Sequence, residues 1–158
     1  AANMGFLLVV LGIGDIITQG YLAGKLSDRF GSRPLVIAGF LVTALAFGVN
    51  VFLPFHRIAA LAFVFILLYA FGSGLYEPAY NGLISESAEP SEQGRVSGAN
   101  QSVESLTQIV GPLAGAALYQ VGHTLPWITV ALLSLVGAGV VSLTIKKSIP
   151  VNSTAALL

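Results

Sequence analysis

The chain has 158 residues, more than half of them apolar, with 9% charged, seven cations balanced by seven anions, and no cysteine. Such a composition belongs to a membrane protein rather than a soluble domain, and zero net charge offers no basic surface to nucleic acid. The missing thiols exclude disulfides and thiolate metal sites.

Five apolar stretches follow one another at about 3–24, 34–55, 58–85, 96–121 and 125–145. Each is about 20 residues or more, the length a helix needs to cross about 30 Å of hydrocarbon. A bilayer leaves the backbone no water, and none of these stretches alternates as a barrel strand would, so all five are expected as helices. The fold class is therefore an all-α membrane protein with five transmembrane helices over residues 1–147 and a short tail over 148–158. The first residue is alanine with no basic leader after it, so a piece of a longer protein is expected.

The first stretch carries Asp15 near its middle, with Thr18 and Gln19 one turn on. An ionisable group at membrane depth is costly and normally faces a bundle interior or a wet cavity. Asp15 and Gln19 are candidates for a proton or substrate pathway; a structural hydrogen bond to a neighbouring helix is the alternative.

Between the first two stretches runs a charged joint, Gly24-Lys25-Leu26-Ser27-Asp28-Arg29-Phe30-Gly31-Ser32-Arg33, followed by Pro34. Gly24 and Gly31 allow positive φ or close backbone approach. Pro34 is suited to start a helix, where its missing N–H costs nothing. The joint resembles the signature loop of the major facilitator superfamily, Gly-x-Leu-small-Asp-Arg-x-Gly-x-basic. Gly24, Leu26, Ser27, Asp28, Arg29, Gly31 and Arg33 fall on that pattern, while Ser32 stands where the family usually has another basic residue.

In the third stretch Glu77 precedes Pro78, with Ser73 and Asn81 four residues to either side on one helix face. Pro78 removes a backbone bond to Gly74, so a bend is expected there, softened further by Gly72 and Gly74. Glu77 is a candidate proton carrier, with a polar residue near water as the plainer reading. The joint that follows, with Glu86, Glu89, Pro90 and Glu92, reads as a solvated loop.

The fourth stretch has a continuous stripe, Ser97, Gln101, Glu104, Gln108, Gly111 and Gly115, at alternating intervals of four and three. Gln101, Glu104 and Gln108 are candidates for lining a pathway. Gly111 and Gly115, with the bend residue Pro112, suit close helix packing. Trp127, at the start of the fifth stretch, reads as an interfacial anchor.

Lys25, Arg29, Arg33, Arg95, Lys146 and Lys147 fall on one side of these spans and only Arg57 on the other. Cations accumulate in the cytoplasm, so the C-terminus is expected there. His56 and His123 have no carboxylate or cysteine close in sequence, so neither a metal site nor an intramembrane enzyme is indicated.

The resemblance implies more than the residues alone. Family members are built from two six-helix halves, and the joint lies between the second and third helix of each. Five spans then make helices two to six of one half of a twelve-helix fold, the other half being a missing partner. Pro78, Gln93-Gly94-Arg95, Ser102, Ser105-Leu106 and Gly111-Pro112 resemble the C-terminal half of drug–proton antiporters of the tetracycline and multidrug efflux type. The N-terminal half of a transporter of another specificity, sharing the Gly-Pro motif, is the alternative. The implied function is proton-coupled export of small molecules across the plasma (inner) membrane by alternating access, with no cofactor. A non-transporting receptor or subunit on the same fold is the other alternative. In the family the motif aspartate, here Asp28, meets a helix N-terminus of the opposite half at the cytoplasmic gate. Arg29 and Arg33 would hold the loop, and Gly24 would admit a close neighbour.

Overall fold

The computed structural model describes residues 5, 9, 12–14, 16–51 and 59–144. Asp15, the outer end of the second span and the tail expected over 148–158 lie outside these residues. Among the described residues the chain is helical throughout, with no strand. A π-helical segment, Thr18–Ala23, runs directly into α1 (Gly24–Phe30). Then come α2 (Ser32–Asn50), α3 (Ala59–Ser87), α4 (Gln93–Val121) and α5 (Leu125–Thr144).

The joint between the first two expected spans is itself mostly helix: Gly24–Phe30 is helical, and only Gly31 interrupts it before α2 begins. Lys25, Leu26 and Arg29 are good helix formers, so nothing stops the helix earlier. Gly31 sits at φ 82°, ψ 162°, a region open essentially to glycine alone. Its N–H closes α1 by donating to the Ser27 carbonyl at 2.8 Å. Pro34 falls in the first turn of α2, where no backbone partner is lost.

α2 is the centre of the bundle. Its buried residues Ser32, Leu35, Val36, Gly39, Thr43, Ala44, Ala46 and Asn50 recur at helical spacing. Against this face lie α3 and α5. A Cβ on Gly39 would come within 2.6 Å of the Tyr76 Cβ and 2.8 Å of the Gly72 carbonyl oxygen, so α2 and α3 touch backbone to backbone there. Gly72 and Gly74 were expected to soften α3; instead they are contact points, Gly72 on Thr43 and Gly74 on Thr18. On the other flank the Phe40 ring packs on Gly137 of α5 and stacks on Tyr76 at 5.1 Å between centroids.

Leu35, Val36 and Ala79 form the apolar core next to Gly31, with Leu26, Phe40, Leu83 and Val141 packed around it. At the far end Phe47, Phe65, Tyr69 and Trp127 make an aromatic cluster with centroid separations of 5.4 to 6.2 Å. Trp127 therefore packs between helices as well as standing at the start of α5, because its ring finds aromatic partners on α2 and α3.

Among the described residues three helical segments are long and apolar enough to cross a membrane: Ser32–Asn50, Leu61–Ser85 and Leu125–Thr144. The first expected span is only partly described. α4 has the length, at 29 residues, but its polar stripe lowers its hydropathy, and none of its residues is buried. Exposed Leu132, Leu133, Val136 and Leu143 on α5 are what a lipid-facing helix presents.

Candidate functional site

The joint residues divide by what they touch. Leu26 packs on the core and fastens α1 to it. Gly31 supplies the backbone conformation of the break, and Ser27 Oγ lies 3.3 Å from Ser32 Oγ across it. Arg33 Nη2 donates to the Ser142 carbonyl, tying the start of α2 to the last turn of α5. A cation suits that position, where unpaired carbonyls concentrate negative potential. Asp28 and Arg29 are exposed. Arg29 lies over the neighbouring Phe30 ring at 5.6 Å, and neither Arg29 nor Arg33 makes an ion pair among the described residues.

Gly24 has an ordinary helical φ of −58°, and a Cβ there would meet nothing within 4 Å among the described residues. Gly111 and Gly115 likewise have nothing within 4 Å of a built Cβ, so the close packing expected of them is not made among the described residues.

The second site is a groove between α3 and α4 with a volume of about 260 Å³. Tyr76, Glu77, Tyr80 and Asn81 line it from α3; Asn100, Val103, Glu104 and Thr107 line it from α4. The Tyr80 hydroxyl donates to Asn100 Oδ1 at 3.1 Å and spans the two helices. Two carboxylates that are distant in sequence, Glu77 and Glu104, thus face one cleft with amide and phenol groups beside them. Such a cleft can hold water, a cation or a proton in exchange between carboxylates.

Of the residues singled out in sequence, Glu77, Asn81 and Glu104 come together here. Gln101 and Gln108 are exposed on α4 outside the lining, and Gln19 is exposed on the π-helical segment. Ser73 is buried and returns its hydroxyl to the Tyr69 carbonyl at 2.9 Å, so it does not extend the groove. α3 continues as helix through Pro78, and α4 through Pro112. Tyr76, Tyr80, Asn100 and Thr107 were not anticipated. They lie three or four residues from Glu77, Asn81 or Glu104, or beside them, and that helical spacing is the signal that could have found them.

Comparison with known proteins bears on the same residues. The sequence model of the Major Facilitator Superfamily matches residues 1–156. Tetracycline resistance protein, class C, of Escherichia coli is 34% identical over 140 residues, covering 86% of this chain and 34% of that protein. The class B protein of Escherichia coli is 32% identical over 123 residues, 78% of this chain and 29% of its own length. Multidrug resistance protein MdtH of Baumannia cicadellinicola subsp. Homalodisca coagulata is 31% identical over 132 residues, 82% of this chain and 31% of its own length. The chain thus spans about a third of the length of these curated relatives. No solved structure matches. With the joint, the all-helical bundle and a family match over nearly the whole chain in agreement, the chain belongs to the major facilitator superfamily.

Proposed function

We propose that the chain is part of a secondary transporter that exports drugs or other small molecules in exchange for protons, and that it supplies most of the C-terminal half. The observation that carries this reading is the groove between α3 and α4, where Glu77 and Glu104 line one cleft. Carboxylates at membrane depth are costly and are kept where an ion or proton pathway uses them. The names of the relatives, tetracycline and multidrug resistance proteins, support a small-molecule substrate.

In this reading two half-bundles rock about a central site and expose it to each side in turn. The open face of α4 is the face that the other half covers, and Asp28 belongs to the cytoplasmic gate. The excess of Lys and Arg on the joint side supports a cytoplasmic C-terminus.

The test is transport by the full protein in inverted membrane vesicles with an imposed proton gradient. Glu77→Gln and Glu104→Gln should each abolish gradient-driven uptake of a tetracycline or a cationic dye, while Gln101→Ala, outside the groove, retains most of it. Gradient-driven uptake at the parental rate in both carboxylate variants would remove the groove from the pathway.

A further inference from the structure

A second groove, of about 310 Å³, lies on α2, lined by Arg33, Pro34, Ile37, Ala38 and Leu41. Apart from Arg33 its walls are apolar, and Pro34, Ala38 and Leu41 are exposed. We propose that this groove is a binding site for an anionic phospholipid, with one acyl chain along Ile37, Ala38 and Leu41 and the phosphate at Arg33.

Position favours this occupant. α2 has 19 residues, about 28 Å at the helical rise, close to the thickness of the hydrocarbon layer. Arg33, in the first turn, therefore stands at headgroup depth, and the apolar lining descends from it over two turns toward the bilayer centre. An acyl chain is the apolar molecule present at that depth at the highest concentration.

Charge favours an anion. Of the five N–H donors of Arg33, the one on Nε is buried without a partner, and the Ser142 carbonyl is the one acceptor of the others among the described residues. No described carboxylate pairs with it. α2 also starts without a side-chain cap at Gly31, which leaves the positive end of its dipole unanswered beside the same guanidinium. Basic residues near a membrane surface select anionic lipid by about fivefold each.

The test is native mass spectrometry of the full protein released from nanodiscs containing equal phosphatidylglycerol and phosphatidylcholine. The parent should retain phosphatidylglycerol over phosphatidylcholine by about fivefold or more. Arg33→Gln should bring retention of the two lipids to parity, and Arg33→Lys should restore part of the preference. Ala38→Phe, on an exposed position that leaves Arg33 intact, should reduce retention of both lipids by filling the groove, with helicity unchanged by circular dichroism. Undiminished phosphatidylglycerol retention in Arg33→Gln and in Ala38→Phe would overturn the proposal. So would a lipid-free parent, or one released as a dimer with no lipid, since the groove would then face protein.

Discussion

Gly39 and Gly72 oppose each other across α2 and α3 so closely that each would set a new Cβ within 3.1 Å of the other's carbonyl oxygen. The separation of the two helices is fixed here by backbone rather than by side chains. Gly39→Ala would also press on the Tyr76 Cβ at 2.6 Å, and Gly72→Ala on Thr43. Neither obstruction is the end of a flexible chain. Overpacking of this kind costs about 1–3 kcal/mol. Thermal or denaturant unfolding in detergent should register that loss for each variant, whereas Gly111→Ala, with nothing within 4 Å, should leave the midpoint unchanged or raised.

The two joint glycines should respond in opposite directions. Gly31→Ala forces a side chain into a conformation reserved for glycine, at about 1–3 kcal/mol. Gly24→Ala replaces a helical glycine facing open space and should stabilise by about 0.5–1 kcal/mol. Unfolding midpoints of the two variants, measured side by side, check this. Equal loss in both would mean that Gly24 is held by contacts outside the described residues.

Asp28 stands in the last turns of α1, where the helix dipole disfavours an anion by about 0.3–1 kcal/mol. The chain itself offers this carboxylate no ion pair among the described residues. Asp28→Asn should therefore stabilise the isolated chain slightly. In the full protein, if the carboxylate meets a helix N-terminus of the other half, the same change should abolish transport while expression is kept. A variant with parental transport would leave Asp28 without a gating role.

Tyr80→Phe removes a hydroxyl that spans α3 and α4 in the groove. A net hydrogen bond contributes about 0.5–1.5 kcal/mol, and α4 has no buried residue to compensate. Hydrogen exchange along Asn100–Thr107 should quicken several-fold, while α2 remains as protected as in the parent.

The helices were legible because apolar runs of membrane length admit little else, and the joint was legible because charge interrupts them. Its conformation was not, since a sequence of good helix formers between two glycines does not say which glycine breaks the helix. The stripe on α4 drew notice through Gln101, Glu104 and Gln108. An equivalent stripe on α2, Gly39, Thr43, Ala46 and Asn50 at intervals of four, three and four, did not. Its members are small and nearly silent in hydropathy, although they form the closest contact surface in the bundle. Glu77 and Glu104 were each visible as misplaced charges. That they share one groove depends on the register between α3 and α4, which no local pattern carries.

The exposed condition of α4 bears on how the chain is assembled during synthesis. A segment passes from the translocon into lipid unaided only when its summed transfer is favourable, and a central carboxylate opposes that by about 2.5–3.5 kcal/mol. α4 carries Glu104 between two glutamines and has no buried face to offset the cost. α5 follows after only Gly122, His123 and Thr124 and is among the three apolar spans. The pair should therefore enter as a hairpin, with α5 committing α4 to the bilayer as it emerges from the ribosome.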